Sequence, residues 1–510
     1  MKTPFCSLVI ALLAWAGGVR AEPGEYFCIQ VVDDATGHGV PLVQLETTDR
    51  ARYYTDSNGY VAFLEPGLMG QEIWFTISSH GYEFPHESFG SRGVALRVIP
   101  GGKAQIKIRR INIAERLYRI TGRGIYRDTL LLGKRPPIEH AALNGLVMGQ
   151  DSALTAGYHG KLFWCWGDTN RPGHPLGNFH TAGATSELPD HGGLDPAVGV
   201  ELTYFVDPKT GFARPMAPLE GAGAGPVWLD GLLTTRDPQG HECLLAHFRR
   251  VKGLDAVQRG LMLFNDKTLQ FDAIRSVPLE AKLAPTGQPL RVDVAGREYY
   301  YFPTPYPAVR VQNDWDSLTD LAAYEGFSCL KDGAAYSKKN PPLDRDADGN
   351  LVWRWRRQTA PLSPAEIDEL VAAKTIRRDE TPFRLRNAAD GRPIRLHNAS
   401  VAWNDFRRKW VMIGVQAFGD SYLGEVWFAE ADKPEGPWDA ARKVATHAKK
   451  DDNQDFYNPI QHPEFAQAGG RFIYFEGTYV NTFSGNRFPT PNYDYNQLMY
   501  RLDLADPRLK

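Results

Sequence analysis

Two aspartates flank a short hairpin. Gly149-Gln150-Asp151-Ser152 leads into it, and Lys161-Leu162-Phe163-Trp164-Cys165-Trp166-Gly167-Asp168-Thr169 leaves it. A turn at 156–160 separates two runs rich in strand-forming residues, so antiparallel pairing puts Asp151 and Asp168 near one end of a sheet. One carboxyl group that gives a proton and one that takes it, beside aromatic rings, is the equipment for hydrolysing the acetal between two sugars. A separation of about 5–5.5 Å would mean retention at the anomeric carbon, and about 6.5–9.5 Å inversion. Asp168, in Trp-Gly-Asp-Thr, also suits a turn in which its oxygens accept backbone N–H groups. Both readings of Asp168 stay open on the sequence.

Further candidates surround this pair. Gln150, Trp166 and Asn170 are its immediate neighbours and would contact substrate. His397-Asn398 opens another strand-like run, and Glu425 stands just before the alternating run Val426-Trp427-Phe428-Ala429-Glu430-Ala431. Glu425 is a candidate third catalytic acid or a charge at a strand edge. Asn458, His462, Glu476 and Tyr479 lie in the densest polar and aromatic segment, which continues through 490–497. Such a set offers hydrogen bonds to hydroxyl-rich ligands, or polar loops closing the fold. His174 and His180 follow Asp168 and are candidate pocket borders or structural histidines. Asp344-Arg345-Asp346-Ala347-Asp348-Gly349-Asn350 opens like a calcium loop, but its twelfth position is Trp355 rather than glutamate, which makes an acidic turn the better reading. No phosphate-binding glycine loop, Gly-x-Ser-x-Gly elbow or His-Glu-x-x-His motif is present.

The elements that must hold these residues read as strands almost throughout. Short alternating runs separated by Thr36-Gly37-His38-Gly39, Asp56-Ser57-Asn58-Gly59 and Pro100-Gly101-Gly102 predict a β-sandwich over 22–110. A charged connector, 111–142, reads as a docking seam or part of a cleft wall. From 143 to 506 the pattern repeats loosely five times, with starts near Gly145, Pro226, Leu290, Leu396 and Asn458. Repeated sheets of about four strands predict a five-bladed β-propeller, making the whole chain all-β. Ser363 followed by Glu366 forms a helix-capping pattern, and a helical insertion is expected near 363–373.

The bulk numbers narrow the partners. Formal net charge is −2 over 510 residues, which excludes the basic field that nucleic acid requires. Residues 1–21 have the layout of an export signal: Lys2, an apolar core over 8–15, and Val19-Arg20-Ala21 as a cleavage site. That core is too short for a membrane span. The expectation is a secreted or periplasmic monomer with no membrane span. Cys28, Cys165, Cys243 and Cys329 remain after the signal, too scattered for a zinc site, and either free thiols or one bridge would fit.

The runs at 149–152 and 166–169, with Asn458-Pro459 and Tyr474-Phe475-Glu476-Gly477-Thr478-Tyr479, resemble exported bacterial propeller proteins similar to the five-bladed glycoside hydrolases. The endo-D-arabinanase family 183 is nearest in its paired early aspartates, and family 43 is a more distant relative in form. The resemblance spans roughly 143–504 and is strongest in the first and last segments. The 39–60 stretch resembles transthyretin-like and carboxypeptidase-regulatory sandwich modules. The likeness implies acid/base and nucleophile roles for Asp151 and Asp168, and a general acid near Glu425. The 178–188 stretch and the helical insertion have no counterpart in it. The expected function is a secreted glycoside hydrolase acting on a polysaccharide or oligosaccharide, with a furanoside such as arabinan as one substrate, and no cofactor beyond a divalent cation such as calcium in the propeller. The alternatives are a non-catalytic carbohydrate-binding propeller and a polysaccharide lyase with a Tyr, His or Arg base.

Overall fold

The computed structural model describes residues 25–87, 90–178, 180–219, 225–447, 455–480 and 495–510. The expected export signal lies outside the described residues, as do 490–494 of the last polar segment. The chain is all-β. Two four-stranded sheets come first. One joins Tyr60–Phe63, Phe27–Asp33, Lys103–Arg110 and Tyr82–Glu83; the other joins Arg52–Tyr54, Gln44–Thr47, Glu72–Ser78 and Gly93–Arg97. Their inward residues meet in one core, with Ile29, Val31, Val61 and Ile106 from the first sheet facing Leu45, Phe75 and Ile77 from the second. This is a sandwich, built by period-two alternation.

Five further sheets follow, and their cores show that they form a ring. Leu154, Phe163 and Cys165 of the first sheet pack on Val227, Leu229 and Leu244 of the second. Leu233 and Leu245 then meet Tyr300 and Phe302 of the third, and Tyr301 and Phe327 meet Val401 and Met412 of the fourth. Ile413 and Phe428 pack on Phe456 and Phe475 of the fifth. Tyr474 and Met499 of the fifth return to Trp164 and Trp166 of the first. Five seams in cyclic order make a five-bladed propeller. Each blade is apolar on both faces, which is why its middle strands read as continuous runs such as Val411-Met412-Ile413-Gly414-Val415 rather than alternating ones.

The ring is closed by the connector. Glu115–Arg119 pairs antiparallel with Asn496–Asp503, in the register Leu498↔Arg119 and Arg501↔Glu115, as the outer strand of the fifth blade. The segment read as a docking seam is therefore both a blade strand and a seam. Glu115 accepts from Thr36 and Arg501 and contacts His38 (2.8 Å), and the buried Arg119 guanidinium donates to Asn496 Oδ1. Burial raises the Glu115 carboxyl, but the bonds from His38, Thr36 and Arg501 outweigh it and bring its pKa to about 2. The helix Pro364–Ala372 has the expected capping box of Ser363 and Glu366. Cys28, Cys165, Cys243 and Cys329 are free thiols, so the bridge left open among them on the sequence is not formed.

Candidate functional site

The first blade carries a small extra sheet, Gly149–Gln150, Thr169–Arg171 and His174–Asn178, at the rim of its main sheet. In it Gly149 pairs with Asn170 and Gln150 with Thr169, while Leu154 pairs with Cys165 in the main sheet. Between these two registers Asp151 and Asp168 come opposite each other. Gly167 N–H donates to the Asp151 carbonyl (2.7 Å) and locks the crossing. A Cβ on Gly167 would lie 2.2 Å from Asp151 Oδ1, so only glycine lets the carboxylate lie where it does. Ser152, the next residue, has φ 56°. That left-handed turn re-aims the chain from the rim sheet into the innermost strand.

A cavity of about 510 Å³ opens at this end of the ring axis, with walls from all five blades. Asp151, Trp166 and Asp168 come from the first blade, Trp228, Asp230 and Arg249 from the second. Gln288 belongs to the approach to the third; His397, Asn398 and Tyr422 come from the fourth, and Tyr457 and Asn458 from the fifth. Tyr457 hydroxyl donates to Asp151 Oδ2 (2.9 Å), and the Tyr495 hydroxyl also bonds Asp151. Trp228 Nε1 donates to Asp168 Oδ1 (2.9 Å). Asp230 forms an ion pair with Arg249 (3.2 Å), whose guanidinium lies 5.6 Å over the Trp228 ring. Asn458, at φ 49°, donates to Ser152 Oγ (2.8 Å) and accepts from Asn398 Nδ2 (3.1 Å). Backbone in the left-handed region at Ser152, Asn458 and Tyr495 is concentrated around one carboxylate.

The electrostatics follow from burial and like charge. Asp151 is pushed up to about 6, first by burial and then by the Asp168 charge, against the hydrogen bonds from Tyr457, Tyr495 and Ser152. Asp168 is raised by burial and held back by the Trp228 bond. Asp230 is raised by burial, with Arg249 opposing. The same two aspartates drive the Tyr495 phenol upward, after burial. His397 is lowered by burial, so its ring is biased to the neutral form.

Several expected site residues lie elsewhere. Glu425 is fully buried within the fourth blade, bridged by Lys443 (2.7 Å) and Thr446 (2.9 Å), and does not line the cavity. Gln150 is a staple between the first and fifth blades: its side chain accepts from Tyr204, and its carbonyl accepts from Gln497. Asn170 belongs to the rim sheet and not to the cavity wall. His462 and Glu476 form a sealed pair (3.0 Å) under the Trp164 ring in the seam between the last and first blades. Tyr479 stacks on His80 where the sandwich meets the fifth blade. These apolar seams account for the misplacement, since a central blade strand points its residues at neighbouring blades and only the ends of the inner strands reach the axis. His180 accepts from Val227 N–H in the second blade and lines no part of the cavity. Of the calcium-like loop, Asp344 serves Arg356, while Asp346 accepts from its own turn at Asp348 and Asn350. Among the described residues no group of three or more His, Cys, Asp or Glu is arranged to hold a metal ion.

Tyr457 and Tyr495 belong to the polar and aromatic segment that the sequence reading singled out, whereas Trp228, Asp230, Arg249 and Tyr422 were missed. A usable signal existed for two of them. Trp228 and Asp230 occupy the beginning of the second inner strand, Val227–Arg236, as Asp151 precedes the first, Leu154–Tyr158. Arg249 and Tyr422 arrive from strand ends and returns that carry no pattern of their own.

No family model matches the chain, and no curated protein matches it in sequence. Solved structures align with it at low identity. An exo-1,5-alpha-L-arabinanase from a bovine ruminal metagenomic library is 11% identical, covering 70% of this chain and 94% of its own, with a TM-score of 0.34. A GH43_1 enzyme from Xanthomonas citri is 12% identical over 70% and 88%, at a TM-score of 0.32. A putative exo-beta-1,3-galactanase from Bifidobacterium bifidum s17 is 10% identical over 84% and 94%, at 0.34. At such scores these likenesses carry no weight, and the fold and site above stand on the chain's own sheets and side chains.

Proposed function

We propose that the protein hydrolyses glycosidic bonds of an oligosaccharide or polysaccharide, with Asp151 and Asp168 as the reacting carboxyl pair. The observation that carries this reading is the convergence of the two opposed aspartates in one axial cavity with the aromatic rings of Trp228, Tyr422 and Tyr457. Burial and mutual repulsion keep a proton on the pair at a pH where separate aspartates would both be ionised. Asp151, raised by burial and by the Asp168 charge, serves in this reading as the acid toward the leaving oxygen. Asp168, fixed by the Trp228 indole, then acts as base toward water or as nucleophile. Asp230 is already neutralised by Arg249 and shapes the wall between them. A furanoside such as arabinan, in a manner resembling families 183 and 43, is the finer form of this proposal, together with export to the periplasm or medium.

One observation favours a binding module instead: Asp168 and Asp230 each have a partner in the second blade, as saturated structural groups do. Tyr495 does not suit the base of a lyase, because a tyrosine base needs a lowered pKa and the aspartates push it the other way.

The deciding experiment incubates the protein with arabinans, xylans and plant, algal and mycobacterial glycans beside Asp151→Asn and Asp168→Asn. Cleavage by the wild type, lost in both variants while binding persists, is the expected result. Binding without cleavage by the wild type would leave only the binding module. An aryl glycoside with a good leaving group should rescue Asp151→Asn and leave Asp168→Asn inactive, which separates acid from base.

A further inference from the structure

A second concavity, of about 170 Å³, lies between the helical insertion, the strand Phe383–Asn387 and the return 391–396. Four arginines line it: Arg378, Arg384, Arg386 and Arg395. Their charge is only partly matched. Arg378 pairs with Asp368 (2.6 Å), and Arg384 and Arg386 share the single carboxylate of Asp439 (3.3 and 3.4 Å). Arg395 makes no ion pair among the described residues. Four guanidinium groups thus face two carboxylates, in a chain whose formal charge is −2. The floor is apolar, with Tyr306, Phe383, Leu385 and Ile394 buried beneath it, so solvent screens these charges less than on an open surface. Planar guanidinium forks of this kind suit oxyanions, which they hold by paired N–H donors.

The concavity also adjoins the axial cavity through one strand. Arg395 lines the first, and His397 and Asn398, two and three residues on, line the second. Two residues of extended chain span about 7 Å. Arg395 carbonyl accepts from Ala417 N–H (2.9 Å), at the base of the return whose exposed Tyr422 lines the axial cavity. A ligand lying along this return would touch both places.

We infer that the arginine-lined concavity is an oxyanion subsite that binds an acidic substituent, a uronate carboxylate or a sulfate ester, on a glycan. The axial cavity is itself unsuited to such a group, since Asp151, Asp168 and Asp230 outnumber Arg249 there. The subsite is independent of the hydrolytic reading: it would hold an acidic glycan whether or not Asp151 and Asp168 cleave it.

Isothermal titration of the full protein with four probes tests this: oligogalacturonate, its methyl ester, a sulfated galactan oligosaccharide and its desulfated form. Each acidic probe should bind at least tenfold more tightly than its uncharged counterpart, with the advantage shrinking as salt rises. Arg386→Gln with Arg395→Gln, both exposed positions, should erase that advantage and leave the uncharged probes and the melting temperature unchanged. Asp439→Asn, which frees Arg384 and Arg386, should enlarge it. Lys209→Gln, on an exposed turn away from the concavity, is the control and should do nothing. A preference for only one of the two acid types would name the substituent. Equal binding of charged and uncharged probes, or a preference that survives the double arginine variant, would overturn the inference, and so would absence of binding by all four.

Discussion

The propeller axis opens into two cavities of nearly equal volume, about 510 Å³ at one end and about 530 Å³ at the other, and only the first carries opposed acids. Gln288 lies between them, lining both and clamping Thr155 N–H and C=O with its side-chain amide. The far cavity is lined by Glu242, Glu464, Lys161 and Arg291; Glu242 accepts from His159 N–H (3.0 Å), Lys161 pairs with Glu187 (2.6 Å), and Arg291 donates to Tyr300 (2.9 Å) and Thr234. Size and position on the axis are therefore not what makes a site. The difference lies at the beginnings of the inner strands. There the rim sheet and the left-handed Ser152 turn bring unlike parts of the chain together, whereas the strands run on regularly past the far cavity.

The largest contrast should appear on removing one acid from each cavity. Asp151→Asn is expected to lower kcat on any glycan the protein cleaves by about 10²–10⁴-fold, the usual worth of a positioned acid. Glu242→Gln at the far end should leave kcat unchanged. Equal losses, read as initial rates of reducing-end release, would show that the two ends do not differ in the way described.

Gly167→Ala probes the same contrast through geometry alone. The new Cβ would displace Asp151 Oδ1, from which it would otherwise lie 2.2 Å, without altering any ionisable group. A misplacement near 1 Å costs about 10²-fold in a positioned reaction. The prediction is a loss of about that size in kcat with KM little changed. The matching substitution at the far cavity, Gly157→Ala, meets nothing within 4 Å and should be silent.

Stability supplies a smaller effect with a definite sign. Asp151 titrates near 6 in the folded chain against an ordinary 3.8, so between those values the folded state binds the extra proton and stability falls as pH rises. Asp151→Asn lacks this penalty. Relative to wild type it should be unaffected at pH 3–4 and more stable above pH 6, by about 1–3 kcal/mol. Urea unfolding at a series of pH values measures it. A constant difference across pH would mean that Asp151 is not held in the buried, repelled state described.

How far these features could be read from residues alone follows the same division. The sandwich, the five segments and the hairpin of Asp151 and Asp168 were legible because strand pairing is local and apolar patterning is strong. The role of Glu115–Arg119 in the fifth blade was not, since its partner Asn496–Asp503 lies three quarters of the chain away. Glu425, His462, Glu476 and Tyr479 misled for a physical reason. In blades apolar on both faces, a polar residue looks functional by type, yet it lies in a seam, held by Lys443, by the His462–Glu476 pair or by a ring stack. Asp230 was overlooked in the opposite direction: it stands in the largely apolar run Leu229-Asp230-Gly231-Leu232-Leu233, while in the ring it lines the axial cavity.

Trp228→Phe gives the smallest expected effect and the finest test of the acid pair. The substitution keeps an aromatic ring, smaller than the indole, between Asp168 and the guanidinium of Arg249 and removes the Nε1 donor, which now lies 2.9 Å from Asp168 Oδ1. That bond lowers the Asp168 pKa against its burial, so its loss should raise it. If Asp168 acts as the ionised member, the acidic limb of the pH profile of kcat/KM moves to higher pH, and the rate falls about tenfold at pH 5 but much less at pH 7. A structural role for Trp228 would lower the rate equally at every pH. If the basic limb moved instead, the roles of Asp151 and Asp168 would have to be exchanged, because the perturbed group would then be the one that must carry the proton.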